Sequence, residues 1–284
     1  MRQLTVDCHV HLTAPEVIAA VERYRGMDHY FNLLTSSPKN KFATAEDTIA
    51  EMDRAGIDVA VVFGFAFKDM GLCQETNNYV MAMTKRYTGR FIGLACVNPL
   101  AGGLEAELER CRAGGLAGVG ELFPEGQGFD LARQEDMGEL AGLCSELQWP
   151  VLVHLNEPVG HFYPGKTKTT LPQACTFAEN NPKLKIILAH WGGGLWVYEL
   201  MPELKRTLAN VYYDTAASPF LYTPVIYQAV KAAGVLDKIL LGSDFPLLSP
   251  QRYLEDLAAS GLPDAEIASV KGLNATRIFG MQTS

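Results

Sequence analysis

The chain has 284 residues, 48% of them hydrophobic and 20% charged, with a formal net charge of -8, enough to bury one large α/β core. The acidic balance comes without a lysine or arginine stripe, which argues against nucleic acid as a partner. No apolar run approaches the roughly 20 residues that a bilayer span requires, so no membrane association is expected.

Short β-branched runs alternate with helical patterns along the whole chain, the sign of βα units and a parallel sheet. The strand candidates are 4–9, 57–63, 91–97, 117–122, 151–155, 186–190, 211–214 and 239–242. Helical patterns fall between them at 45–55, 76–87, 104–113, 135–147, 172–180, 198–208 and 224–233, several closing on a glycine, as at Gly56, Gly114 and Gly234. Eight such units in this length predict a (β/α)8 TIM-type barrel, one domain over residues 1–284. No glycine-rich phosphate loop follows the first strand, which argues against a dinucleotide fold. Long loops are expected after strands one (13–44) and five (157–170), where barrel enzymes build their sites, and extra C-terminal helices over 263–280. The six cysteines show no paired spacing and no leader pattern opens the chain, so free thiols and a soluble, cytoplasmic protein are expected.

The chemistry concentrates at predicted strand ends. His9 and His11 lie two residues apart in an extended segment and so project to one side, where both imidazoles can reach one metal. His154 ends the run Val151-Leu152-Val153, His190 ends Ile186-Ile187-Leu188-Ala189, and Asp244 follows the eighth strand. Singly, each histidine could be a satisfied core residue. Strands one, five, six and eight, however, open on one barrel mouth.

The segments DCHVHL, VLVHLNEP, ILAHWGGG and LLGSDFP, in this order, resemble the amidohydrolase superfamily, and within it the amidohydrolase-related (amidohydrolase family 2) branch of metal-dependent hydrolases and decarboxylases. The resemblance implies a divalent metal held by His9, His11, His154 and Asp244, with bound water or hydroxide as nucleophile, Asp244 as proton acceptor and His190 polarising the reacting group. Imidazole and carboxylate donors suit zinc, with manganese or iron open and one or two ions to be decided. Glu121, ending strand four, matches the position of a bridging carboxylate in related binuclear barrels and is similar to the GE motif of TatD-like nucleases; it could equally orient a histidine.

The expected reaction is attack of hydroxide on an amide, ester or lactone carbonyl of a small, carboxylated molecule. Non-oxidative decarboxylation or hydration is the alternative, followed by TatD-like phosphodiester cleavage and a barrel that binds without turnover. Trp191, directly after His190, and Tyr163 and Lys166 in the loop after strand five are the candidate substrate-binding residues; with Lys168 and His161 beside them and His29, Tyr24, Arg25 and Tyr30 in the loop after strand one, these loops as a lid would favour anionic substrates. Barrels of this kind often pair, leaving a homodimer open.

Overall fold

A computed structural model describes residues 3–37 and 40–281. Eight parallel strands run in chain order: β1 (Val6–His11), β2 (Val59–Phe63), β3 (Phe91–Gly93), β4 (Val119–Leu122), β5 (Val151–Val153), β6 (Ile186–Leu188), β7 (Val211–Asp214) and β8 (Ile239–Leu240). They form ladders β1-β2-β3 and β4-β5-β6-β7-β8. Two bridges, Ala95 with Val119 and Val10 with Phe245, join the ladders at both ends, so the sheet closes into the expected barrel.

Every strand position in β2 is buried, because one face meets the barrel interior and the other the surrounding helices. Helix Ala45–Ala55 shows how sequence sets the boundaries: Thr44 and Asp47 form a reciprocal capping box, and Gly56 ends the helix at φ 74°. Gly114 does not repeat this; it stays right-handed and Gly115 takes the left-handed position at φ 92°. The loop after β1 folds into three short helices, Pro15–Ala19, Val21–Met27 and His29–Thr35. The tail carries Asp264–Ala268, a single π turn at Ser269–Leu273 and Asn274–Phe279.

The differences from expectation lie mostly at the C-terminal ends of strands. β1 runs two residues later than predicted and includes His11. β8 stops at Leu240 because side chains replace its ladder partners: the amide of Gly242 donates to Thr215 Oγ1 and that of Ser243 to Asp7. β6 stops at Leu188, and His190 through Gly194 all have positive φ, between 54° and 89°. That left-handed run, with Pro202 behind it, breaks the predicted 198–208 helix into a 3-10 segment and a short helix Pro202–Thr207. No helix among the described residues is long and apolar enough to cross a membrane, and none of the six cysteines is in a disulfide.

Candidate metal centre

The strand ends bring six donor side chains together. His9 and His11 come from β1, Glu121 from β4, and His154 and His190 from the residues just past β5 and β6. Asp244 lies beyond β8. His9 Nε2 and His11 Nε2 are 3.3 Å apart, and Asp244 Oδ1 is 3.7 Å from the first and 3.3 Å from the second. On the other side, His154 Nδ1 lies 3.2 Å from His190 Nε2 and 3.0 Å from Glu121 Oε1, with 3.7 Å between His190 Nε2 and the same oxygen. Glu121 Oε2 faces the first group, 3.5 Å from His9 and 3.6 Å from His11. Donors around one cation at about 2.0–2.2 Å stand about 2.8–3.6 Å from one another, from octahedral to tetrahedral geometry. Both groups, His9/His11/Asp244 and Glu121/His154/His190, therefore have the chemistry and spacing of a divalent-metal site.

Neighbouring groups aim the imidazoles. His9 Nδ1 donates to Asp214 Oδ2 at 2.8 Å, which leaves the Nε2 lone pair for the centre. The ring of His154 is reversed: Nε2 donates to the Gly165 carbonyl at 2.8 Å and Nδ1 faces inward. His190 Nδ1 donates to the Ala216 carbonyl at 3.1 Å. Such outer partners fix tautomer and ring direction in metal sites. Asp214 also holds the backbone, its Oδ1 accepting from the amides of His190 and Ala216, each at 3.0 Å. Sequence reasoning passed over Asp214; the available signal was its place at the end of a strand whose neighbours carry His190 and Asp244.

The field favours positive charge. Burial pushes His9 toward the neutral form, yet Asp214 and Glu121 outweigh it and raise its pKa well above the usual value. His190 is likewise disfavoured as a cation by burial but lifted to about 9 by Glu121 and Asp244. Burial alone would raise Glu121 and Asp244, and the surrounding imidazoles instead lower both, Glu121 well below its ordinary value. Buried carboxylates converging on imidazoles are compensated by positive charge, whether protonated imidazole or a bound cation.

Aromatic rings wall the centre. Phe63 stands edge-on to His9 and His11, at 5.1 and 4.8 Å between centroids. Phe123 lies 4.5 Å from the ring of His154, and Tyr30 follows at 5.3 Å from Phe123. Tyr30 belongs to helix His29–Thr35, so the loop after β1 does reach the mouth. The loop after β5 meets the same helix, where Gly165 approaches Leu34.

The remaining candidates separate. Tyr163 sits in the loop after β5, its hydroxyl donating to Glu157 at 3.2 Å and its acidity suppressed first by burial and then by Glu157. Lys166 lies in the same loop, its ammonium donating to the Val159 carbonyl and 3.5 Å from Glu157. Lys168 is 94% exposed and 3.9 Å from Glu125; this outward position leaves it no part in a lid contact. His161 is exposed, and Arg25 is held by Glu22 and Thr35. Trp191 is the clear correction: it is fully buried, its indole NH donates to Ser218 and its ring packs on Tyr222 and Tyr227. Its backbone is left-handed and its ring packs within the core.

The amidohydrolase family profile matches residues 6–281, and the chain belongs to that family. Solved structures agree in fold. The 5-carboxyvanillate decarboxylase LigW of Sphingomonas paucimobilis superposes with a TM-score of 0.79 at 15% identity, over 99% of this chain and 100% of that one. Dihydroxybenzoic acid decarboxylase from Polaromonas sp. JS666, with bound manganese and 2-nitroresorcinol, gives 0.73 at 16% identity over 100% and 98%. A protein described as a probable 2-pyrone-4,6-dicarboxylic acid hydrolase, from Acinetobacter baumannii, gives 0.64 at 16% identity over 98% and 99%.

Proposed function

We propose that the chain is a metal-dependent hydrolase whose centre would hold two divalent cations, Glu121 offering one carboxylate oxygen to each. The observation that carries this reading is the division of Glu121, one oxygen toward His154 and His190 and the other toward His9 and His11. His9, His11 and Asp244 would hold one ion and His154 and His190 the other; zinc or manganese suits these donors. When bound, such a cation acts as a Lewis acid and lowers the pKa of a water it holds from about 16 to about 7.

The protein's own groups do the rest. Asp244, ionised and facing the opening, accepts the proton of the attacking water. Asp214 keeps the His9 proton on Nδ1, with the Nε2 lone pair toward the centre, and seats the backbone of His190. Phe63, fully buried against His9 and His11, helps exclude water, while Phe123 and Tyr30 offer flat apolar surface to a small ring-bearing ester, amide or lactone.

Decarboxylation is the second reading, favoured by the activities that the names of the LigW and Polaromonas structures state. It requires no water nucleophile, so a carboxylate placed to bridge two ions has less to do in it. Metal-reconstituted protein assayed in ¹⁸O-water against aryl esters, lactones and N-acyl amides, and against hydroxybenzoic acids, distinguishes the two. Hydrolysis places solvent oxygen in the product acid. Carbon dioxide release without solvent oxygen in the product would overturn the proposal.

A further inference from the structure

The imidazoles are not anchored alike. His9 and His190 are fixed by Asp214 and Ala216, on and just after β7 in the barrel wall. His154 instead donates to Gly165, on the excursion between β5 and helix Leu171–Asn180. Side chains hold this excursion in shape. At its base, Asn156 Oδ1 accepts from Thr167 N at 2.7 Å and Thr167 Oγ1 at 2.9 Å, while Asn156 Nδ2 donates to the Glu157 carbonyl at 3.1 Å. Inside it lies Lys166, bonded to the Val159 carbonyl, near Glu157 and 5.8 Å from the centroid of the Tyr163 ring.

The side chains of Lys166 and Glu157 are only 13% and 16% exposed, although Val159 and Phe162 on the same loop stand 71% and 77% in solvent. A partly desolvated ion pair contributes little net stability. What it does here is fix the path from 157 to 166, and with it the Gly165 carbonyl.

We propose that this excursion is the positioning element of the Glu121/His154/His190 half-site, with Lys166 and Asn156 as its positioning residues. They hold the carbonyl that keeps the proton on His154 Nε2 and aims the Nδ1 lone pair at the cation. The inference rests on the two-cation reading above. If the carbonyl moves away, the His154 ring is free to turn or change tautomer, and one half-site loses a ligand. The His9/His11/Asp244 half, built on the barrel wall, keeps its own.

The test is metal stoichiometry in Lys166→Met, which retains the apolar stem and removes the charge, with Lys168→Met as the exposed control. Protein equilibrated against buffered Mn²⁺ is counted by elemental analysis, and its electron paramagnetic resonance separates a coupled ion pair from isolated ions. Wild type and Lys168→Met should bind two equivalents with a coupled signal. Lys166→Met should bind the second equivalent about 10- to 100-fold more weakly, the range typical of losing an outer hydrogen bond to a ligand, and show isolated ions. Lys166→Arg, which restores the charge, should recover part of the loss. Two equivalents at wild-type affinity in Lys166→Met overturn this proposal and leave the hydrolase reading standing. A single equivalent in saturated wild type overturns it together with the two-cation reading.

Discussion

Asp214→Asn isolates the part of the centre that sequence motifs do not mark. The carboxylate is fully buried; Oδ1 accepts two backbone amides at 3.0 Å each, and Oδ2 accepts His9 Nδ1 at 2.8 Å. Asparagine matches its shape but has one acceptor oxygen. If that oxygen stays on the two amides, the NH₂ faces His9 Nδ1, which must then become an acceptor. His9 Nε2 would carry the proton and point a hydrogen, not a lone pair, at the centre. If the amide rotates instead, its NH₂ meets two backbone donors, and two buried hydrogen bonds are lost at about 1–3 kcal/mol each. The first arrangement costs less. Metal affinity should then fall about 10- to 100-fold, about 1.4–2.7 kcal/mol, while the fold is retained. Competition with a fluorescent chelator measures the affinity, and ¹⁵N-histidine NMR reports the tautomer. Unchanged affinity with His9 still protonated on Nδ1 would refute the reasoning.

Replacing both His9 and His11 by alanine should remove at least one metal equivalent, read by elemental analysis, since these two donors lie 3.3 Å apart on one strand face. Asp244→Asn, even where metal is retained, should lose about 100-fold or more in kcat, because an amide cannot accept the proton of water; steady-state rates on metal-replete protein check this. Away from the centre, buried Glu107 accepts from Asn77 and from Nε and Nη2 of Arg110, each at 2.8 Å. Burial raises its pKa, but these bonds prevail and lower it below its ordinary 4.5. A depressed carboxyl stabilises the fold above its unfolded pKa and ceases to as pH falls through the folded one. The Tm advantage of wild type over Glu107→Gln should therefore be constant above about pH 5.5 and shrink below about pH 4.5; a constant difference down to pH 3 would contradict it.

The period-two and 3.6 patterns were legible because they report burial, and barrel strands are buried on both faces. The histidines were legible because polar residues ending apolar runs stand out. What the sequence could not supply is how rings are aimed. The letters place His190 at a strand end on the same mouth as the other donors, but its grouping with Glu121 and His154 depends on a left-handed backbone at φ 54°. The same turn buries Trp191, which as a large residue next to a site histidine invites a substrate role. Lys166 and Lys168 are two residues apart and chemically alike, yet Glu157 and Val159 draw one inward while the other remains in solvent. These outcomes follow from loop paths, which carry no periodic signal.

The centre also sits on one of the barrel's two seams, where a single bridge joins the ladders, and this gives metal removal a mechanical readout. Between β1 and β8 the ladder is replaced by scattered bonds: Cys8 N to Leu241 O at 2.7 Å, Asp244 N to His9 O at 2.9 Å, and Ser243 to the Asp7 carboxylate. Burial pushes the Asp7 pKa up to about 6 even against the bonds from Ser243 and His9, so this clamp is itself held at some cost. His9 and His11 lie on one side of the seam and Asp244 on the other, so a cation among them ties the two edges together. At free metal 100-fold above Kd the linkage stabilises the fold by about 2.7 kcal/mol. At about 2–4 °C per kcal/mol for a chain near this size, chelation should lower Tm by about 5–11 °C. The loss should also be local. Amide hydrogen exchange at Cys8 and Asp244 should quicken on chelation by more than at Ile187, which pairs within the continuous β5-β6-β7 ladder. Equal protection at all three sites, or an unchanged Tm, would show that the cation does not bridge the seam.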